Sequence, residues 1–210
     1  MVINGDADAG ELQNNQLGND TTREKWHDYA NKKSKDYLST STDEKIKKSQ
    51  KFIAIREPFD RLISAYRNKL EPPCRDDMFG RMSKQISMSY RIDNSTEERH
   101  ATFDEFLRYF IDPKAKMNEH WISYEKLTQP CKYKYDYILK LEDITAESDW
   151  LLQSYNVTLH YPKGYHHEKN HNRLVDEIIE GIDRQTLREV FYKLQNDYKL
   201  FNYQIPDFLK

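Results

Sequence analysis

A long apolar run is missing from this 210-residue chain, in which only 37% of the residues are hydrophobic. A helix that crosses a bilayer needs about 20 consecutive apolar residues, and no stretch approaches that length. Residues 1–50 are almost entirely polar and contain no apolar core of a signal peptide. The sequence therefore predicts neither a membrane span nor a secretion signal within these residues.

An excess of charge of one sign is missing as well. The chain has 33 Lys and Arg residues against 35 Asp and Glu residues, which gives a formal net charge of −2. Nucleic-acid-binding proteins commonly carry a strongly basic face. We therefore expect no nucleic-acid partner, and any anion must be bound by a local cluster of donors.

Cysteine is scarce, with Cys74 and Cys131 as the two examples. At most one intramolecular disulfide can form, which excludes a fold held together by several disulfides. The two cysteines could pair in an oxidising compartment or stay as free thiols, because the sequence alone does not place them close together.

Aromatic residues, by contrast, are plentiful: they make up 13% of the chain, and 15 of them are tyrosines. A chain of this length can bury a substantial core as one domain, and here that core depends on Tyr, Phe and Leu. Residues 1–22 lack hydrophobic periodicity, and we predict that they are disordered. Residues 23–210 are predicted to form one domain, with partial helix in 25–50.

The most informative segment is 51–69, where a short apolar run leads into a helical pattern. Residues 52–56 predict a buried strand. Pro58 suits the first turn of a helix, because a proline there loses no hydrogen bond. The helix is predicted over 58–70, and its apolar face comprises Phe59, Leu62, Ile63, Tyr66 and Leu70.

Arg56 stands at the junction of this strand and helix, and Ser64 lies on a polar side of the helix. A guanidinium group can meet an anion with two parallel N–H donors, and a hydroxyl can add a third. These residue types at this junction indicate a phosphate site built from side chains. Arg61, Arg67 and Lys69 on the same helix could add positive charge, or could simply be solvated cations.

The rest of the chain alternates between strand and helix patterns. Residues 71–101 are polar and predict a surface excursion, whereas Thr102 and Glu105 form a capping box that opens a helix. The other predicted elements are a buried strand over 135–141 and helices over 103–110, 145–155 and 184–198. This alternation predicts an α/β domain with a parallel sheet flanked by helices.

Residues 56–69 resemble the 3′-phosphate-binding segment of the Golgi carbohydrate sulfotransferases, in the group with the chondroitin/dermatan 4-O-sulfotransferases and the HNK-1 sulfotransferase. Two later blocks follow in that family's order. Residues 118–142 are similar to its His-Trp, cysteine and Tyr-Asp-x-Ile-x-Lys-x-Glu series, and 191–203 to its terminal Tyr-x-x-Asp-Tyr-x-Leu-Phe-x-Tyr. The resemblance covers residues 50–204.

The resemblance implies a P-loop-like sulfotransferase fold, which this chain could hold in incomplete form. It implies an enzyme that transfers a sulfuryl group from 3′-phosphoadenosine 5′-phosphosulfate to a glycan hydroxyl and needs no metal. The acceptor would be a chondroitin- or dermatan-like glycosaminoglycan or an N- or O-glycan. Carried over residue by residue, Arg56 and Ser64 bind the 3′-phosphate of the donor.

The same family consists of type II Golgi membrane proteins with a lumenal catalytic domain, so the resemblance implies the lumenal side of the Golgi membrane. The lack of an apolar anchor in this sequence conflicts with that expectation. We therefore interpret the chain as N-terminally truncated relative to a membrane-anchored full-length form. The family also has a Cys-x-x-Cys before its Tyr-Asp strand, and Thr128 replaces the first of those cysteines.

The family's 5′-phosphosulfate loop, approximately Pro-Lys-x-Gly-Cys-Thr/Ser-Asn-Trp-Lys, has no counterpart in residues 1–50. A loop of that kind surrounds the 5′-phosphosulfate with backbone donors. We therefore assign no residue to the 5′ side of the donor. The alternative to an enzyme is an inactive relative that binds glycan or adenosine bisphosphate without turnover. An unrelated nucleotide-binding α/β protein is a third alternative.

His120 is the candidate general base, because a neutral imidazole can accept the proton of an acceptor hydroxyl near neutral pH. The alternative is a structural histidine that is hydrogen-bonded beside Trp121. Glu119 is the second candidate base, and its alternative is an exposed carboxylate without a role.

A histidine cluster occupies 165–171. His167 and His171 could ligate zinc if their segment were helical, because residues four apart share a helix face. Gly164 and the polar composition favour a loop, so we assign no metal ligand.

Overall fold

A computed structural model of the chain describes residues 48–72, 78–92, 95, 97, 99–160 and 171–210. These residues fall into two compact units. The sheet unit comprises 48–55 and 134–160, and the helical unit comprises the described residues of 56–133 and 171–210. The predictions for 1–22 and for nearly all of 25–50 lie outside the described residues.

Two strands and seven α-helices lie in chain order within the described residues. The strands are β1 (Phe52–Ile55) and β2 (Tyr137–Lys140). The helices are α1 (Pro58–Lys69), α2 (Met78–Tyr90), α3 (Phe103–Ile111), α4 (Tyr124–Thr128), α5 (Ile144–Ser154), α6 (His171–Ile179) and α7 (Arg184–Leu200). Short 3-10 turns follow β2 and α7, at Leu141–Asp143 and Asp207–Leu209.

The sheet unit confirms the α/β prediction, because β1 and β2 pair in parallel. Their register places Phe52 opposite Tyr137 and Ile55 opposite Lys140. Parallel neighbours need a crossover between them, and the chain that separates β1 from β2 includes several helices. β1 is one residue shorter than the predicted 52–56, and β2 is three residues shorter than the predicted 135–141. The prediction that these strands are buried is wrong for most of their residues, since only Ile55 and Leu139 are buried.

Helix α5 packs on β2 within the sheet unit. Leu139 of β2 forms a small buried cluster with Ile144 and Leu151 of the helix. Helix α5 occupies the predicted position to within one residue at each end. Phe52, Tyr137 and Leu141 pack against this cluster, so the sheet unit combines aliphatic and aromatic contacts.

The start of helix α1 follows from its local sequence. Glu57 accepts the N–H of Asp60 at its Oε2 atom over 2.6 Å, and Pro58 occupies the first helical position. The predicted apolar face is confirmed, since its members are nearly inaccessible to solvent: Phe59, Leu62, Ile63, Tyr66 and Leu70. Burial of this stripe holds α1 in the core of the helical unit.

Helix α3 confirms the predicted capping box. Thr102 accepts the N–H of Glu105, and the Glu105 carboxylate accepts the N–H of Thr102 at 2.9 Å. The helix contributes Phe106 to an edge-to-face aromatic cluster with Trp121, whose ring centroids lie 5.6 Å apart. This cluster forms the centre of the helical unit.

The prediction of a surface excursion over 71–101 is wrong for helix α2. Its buried face consists of Gly80, Ser83, Ile86 and Ser87. The Ser83 hydroxyl donates to the Leu70 carbonyl at 2.7 Å and accepts the Ala101 N–H at 2.9 Å. Small and polar residues face the core here, so hydrophobic periodicity gave no clear helical signal.

Helix α7 confirms the prediction for 184–198, and Asp183 caps it by accepting two backbone N–H groups. The predicted loop at 165–171 is wrong at its last residue, because α6 begins at His171. Val175 is buried and Ile178 packs against the core, which explains the helix. His166 and His167 lie outside the described residues, so the zinc alternative stays untested.

Cys131 is exposed and is a free cysteine, while Cys74 lies outside the described residues. No helix in the described ranges is both long enough and apolar enough to span a membrane.

Candidate functional site

Arg56 immediately precedes the cap of helix α1 and is half-buried. Its backbone N–H donates to the Tyr124 hydroxyl at 2.9 Å. Its Nε atom is buried and has no hydrogen-bond partner in the part of the chain that the structure describes. A buried guanidinium N–H without a partner is costly, and an anion would satisfy it.

Ser64 lies in the middle of α1 and is half-buried. It shares the polar side of the helix with Asp60 and Asn68, which lie one turn before and one turn after it. Arg56 thus lies just before helix α1, and Ser64 lies about two turns into it.

Glu57 connects this junction to the last helix. Its Oε1 atom accepts a short hydrogen bond from the Tyr198 hydroxyl, while Oε2 accepts the Asp60 N–H. Burial raises the pKa of Glu57 to about 7, although both hydrogen bonds oppose this shift. Burial and the neighbouring carboxylate also raise the pKa of Tyr198. The hydroxyl therefore stays protonated and acts as the donor.

Asp197 supports the other side of the junction. The carboxylate is buried and accepts the N–H groups of Tyr124 at 2.7 Å and of Glu125 at 2.9 Å, which caps helix α4. Burial raises the pKa of Asp197, and those two N–H groups oppose the shift, as does Arg61. Asp197 thereby fixes Tyr124, whose hydroxyl meets the backbone of Arg56.

Arg61 is committed to protein groups. Its guanidinium donates to the carbonyl oxygens of Ile122 and Glu119, the latter at 2.6 Å, and lies 4.3 Å from the centroid of the Tyr124 ring. Burial lowers its pKa, while Tyr124 and Asp197 oppose that shift. The sequence left two alternatives for Arg61: positive charge added to the anion site, or a solvated cation. Neither describes the residue. It anchors the turn that contains His120.

His120 lies in that turn, with 36% of its side chain exposed. Its ring contacts Phe79 at a centroid distance of 5.5 Å, and its Nε2 atom is 3.9 Å from Glu119 Oε1. Burial is the main cause that lowers the pKa of His120; Lys69 and Arg61 add to the shift, and Glu119 opposes it. A neutral, partly open imidazole has the protonation state that a general base needs.

Lys69 and Phe79 complete the surroundings of His120. The Lys69 ammonium lies 5.0 Å from the centroid of the Phe79 ring. Trp121 is fully buried beside them, and the centroids of the His120 and Trp121 rings lie 6.5 Å apart. Glu119, the second candidate base, has 68% of its side chain exposed.

Sequence reasoning missed the roles of Tyr124, Asp197 and Tyr198. Tyr198 is buried, and its hydroxyl donates to the Glu57 carboxylate. One signal was available. Asp197 falls on the apolar stripe of α7, three residues after the buried Leu194. A carboxylate on a buried stripe requires hydrogen-bond donors from elsewhere in the fold.

Comparison with known proteins decides the family. The model of the sulfotransferase family matches residues 8–204. The chain belongs to the sulfotransferase family. Mouse carbohydrate sulfotransferase 11 is 30% identical over 185 residues, which cover 83% of this chain and 52% of the relative. Rat carbohydrate sulfotransferase 10 is 33% identical over 178 residues, which cover 79% of this chain and 50% of the relative.

Human carbohydrate sulfotransferase 10 is similar to the same extent, with 31% identity over 189 residues, 82% of this chain and 53% of the relative. The chain thus spans about half the length of the curated relatives that it matches. No solved structure matches the chain. The resemblance to carbohydrate sulfotransferases and the parallel α/β fold predicted from the sequence are confirmed.

Proposed function

We propose that this sulfotransferase transfers a sulfuryl group from 3′-phosphoadenosine 5′-phosphosulfate to a hydroxyl of a glycan. The observation that carries the proposal is the buried, unpartnered Nε of Arg56 in the segment that resembles the family's 3′-phosphate-binding segment. The guanidinium of Arg56 would meet two phosphate oxygens, and the Ser64 hydroxyl would donate to a third.

The 3′-phosphate end of the donor supplies binding energy at a distance from the reacting sulfur. A 3′-phosphate clamp fixes the nucleotide and so orients the 5′-phosphosulfate at the other end of the molecule. Arg56 suits this role because its backbone is held by Tyr124 and its guanidinium retains free hydrogen-bonding capacity.

The transfer step needs a base at the acceptor hydroxyl. The glycan oxygen attacks the sulfur, the bond between sulfur and the 5′-phosphate oxygen breaks, and adenosine 3′,5′-bisphosphate leaves. We assign the hydroxyl proton to a ring nitrogen of His120. Burial and the nearby cations keep the pKa of His120 below its usual value, so that the ring is neutral near pH 7.

The acceptor is proposed from family membership and from the open surroundings of His120. A glycan that contains galactosamine or glucuronate fits the family, and the reaction would then occur on the lumenal side of the Golgi membrane in an anchored full-length form. The exposure of His120 and Glu119 leaves room for a sugar ring there. No role for a metal ion is proposed.

A second candidate is a relative that binds adenosine bisphosphate or glycan without turnover. The sequence observation behind it is that residues 1–50 contain no Pro-Lys-x-Gly loop. Such a chain would keep the 3′-phosphate clamp of Arg56 and Ser64 and lack donors for the 5′-phosphosulfate.

Incubation of the purified 210-residue chain with radiolabelled donor and chondroitin tests both candidates. Labelled chondroitin supports the enzyme, whereas calorimetric binding of adenosine 3′,5′-bisphosphate without label transfer supports the second candidate. Neither binding nor transfer would contradict both. An Arg188→Ala variant should behave as the unmodified chain does in both assays, because Arg188 is an exposed arginine on α7 that is assigned to neither substrate.

A further inference from the structure

Asp197 and Tyr198 are consecutive residues of helix α7. They support Arg56 and Glu57, the two residues that immediately precede helix α1. Asp197 reaches Arg56 through Tyr124, and Tyr198 reaches Glu57 directly. These contacts join residues that lie 68 and 141 positions apart in the sequence, counted from Arg56 to Tyr124 and from Glu57 to Tyr198. Each supporting residue acts on a different residue, Asp197 on Arg56 through Tyr124 and Tyr198 on Glu57.

The supporting groups are rigid. Tyr124, Asp197 and Tyr198 are 8%, 1% and 2% exposed, and the Tyr124 ring packs edge-to-face on Phe201 at a centroid distance of 5.6 Å. The guanidinium of Arg61 covers the Tyr124 ring from another side. Hydroxyl groups on such buried rings have little freedom to move, so that of Tyr124 can fix the Arg56 backbone and that of Tyr198 the Glu57 carboxylate.

Arg56 depends on its backbone for its position. The Nε atom finds no partner among the described residues, so that atom gives the guanidinium no anchor in the protein. A long side chain without such an anchor loses rotamer freedom when it binds a ligand. A fixed backbone position at Arg56 limits this loss of conformational entropy, because fewer side-chain conformations must be excluded when the ligand binds.

We propose that Tyr124, Asp197 and Tyr198 are positioning residues for the 3′-phosphate clamp: they hold the Arg56 backbone and the side chain of the adjacent Glu57 so that Arg56 is ready to bind the phosphate. The inference rests on the proposed function, in that it takes the ligand of Arg56 to be the 3′-phosphate of a nucleotide. It adds that two residues of helix α7, neither of which is assigned a contact with the nucleotide, raise the affinity of the site through Tyr124 and Glu57.

The test compares two nucleotides that differ by the 3′-phosphate. Adenosine 3′,5′-bisphosphate and adenosine 5′-monophosphate are titrated into the wild-type chain and into Tyr124→Phe and Tyr198→Phe, each of which removes one hydroxyl. We expect each variant to bind the bisphosphate about 3- to 10-fold more weakly and to keep its affinity for the monophosphate. Asp197→Asn, which keeps the size of the side chain, should act in the same direction.

A second arm separates positioning from general damage. In an Arg56→Ala background, Tyr124→Phe should cause no further loss of affinity for the bisphosphate, because the group that it positions is gone. The matched control is Tyr109→Phe, which also removes the hydroxyl of a buried tyrosine. The Tyr109 hydroxyl donates to the backbone carbonyl of Lys116. The control should leave the preference between the two nucleotides unchanged.

Three outcomes would overturn the inference. The first is that Tyr124→Phe weakens both nucleotides equally or lowers only the thermal unfolding temperature, which indicates a purely structural role. The second is an equal loss from Tyr124→Phe with and without Arg56. The third is a wild-type chain that does not prefer the bisphosphate; that result overturns the proposed donor site as well, whereas the first two leave it intact.

Discussion

The two ends of helix α1 differ in how the residues beside them are held. At the N-terminal end, Arg56 and Glu57 are bound by hydroxyls of the buried Tyr124 and Tyr198. Lys69, in the last turn, contacts the Phe79 ring, which in turn contacts His120; there the surroundings are half open, and 36% of the His120 side chain is exposed. The same helix thus supports one rigid site and one accessible site.

This difference fits the two substrates of the proposed reaction. A nucleotide donor is the same molecule in every turnover, so a preorganised clamp lowers the cost of binding it. A glycan acceptor is larger and must bring one hydroxyl to the base, which requires an open approach. Mutations at the N-terminal end should therefore change nucleotide affinity, and mutations at the C-terminal end should change turnover.

The largest effect is expected at the open end. His120→Ala should lower kcat for sulfate transfer by about 100- to 10,000-fold, because the acceptor hydroxyl loses its base. The affinity for adenosine 3′,5′-bisphosphate should not change, as measured by calorimetry. His160→Ala is the control, since His160 is 69% exposed and lies in the sheet unit. A larger loss from Glu119→Gln than from His120→Ala would assign the base to Glu119 instead.

A smaller effect is expected inside the helix. Ser64→Ala should weaken binding of adenosine 3′,5′-bisphosphate by about 3- to 10-fold, the cost of one hydrogen bond to a charged acceptor. Alanine favours helix, so α1 should remain intact and the unfolding temperature should not fall. Unchanged nucleotide affinity would remove Ser64 from the clamp and leave Arg56 alone there.

Glu57, at the N-terminal end of α1, should also affect how the free energy of unfolding depends on pH. Burial raises the pKa of Glu57 from 4.5 to about 7, so the folded chain keeps a proton that the unfolded chain has lost. The contribution of Glu57 to stability therefore falls as pH rises from 4.5 to about 7 and then levels off. Glu57→Gln should flatten this part of the profile in urea unfolding experiments. A variant profile as steep as the wild type would contradict the buried position of the carboxylate.

The smallest effect concerns the cation next to the base. Lys69→Met should raise the pKa of His120, because Lys69 disfavours the imidazolium, and the acid limb of the pH–rate profile should move to higher pH by less than about one unit. Glu119→Gln should move it the opposite way. Arg61 and the Phe79 ring also face His120 and are unchanged in both variants. Lys132→Met, on an exposed segment, should leave the limb in place.

Local signals in the sequence predicted much of the fold and of the rigid end. Pro58, the capping box at Thr102 and the stripe of α7 each act within a few residues, so the elements that they define lie where predicted. Helix α2 was missed because glycine and serine form its buried face. Such a face is stabilised by partners such as the Leu70 carbonyl, which no local pattern reveals.

The supporting network could not be predicted for the same reason. The contacts of Tyr124 with Arg56, and of Tyr198 with Glu57, join distant parts of the chain. Sequence alone showed that Arg56 and Ser64 could meet an anion, because both belong to one local junction. It could not show that Arg61 is committed to carbonyl groups around His120, since that depends on tertiary structure.

The most direct test of the account is the effect of Arg56→Ala on binding of adenosine 3′,5′-bisphosphate and adenosine 5′-monophosphate, measured by calorimetry. The account predicts that the bisphosphate binds about 10- to 100-fold more weakly, because a charge-assisted clamp is lost. It predicts that the monophosphate keeps its affinity, and that Arg188→Ala changes neither nucleotide. An equal loss for both nucleotides, or no loss for either, would contradict the assignment of the 3′-phosphate to Arg56.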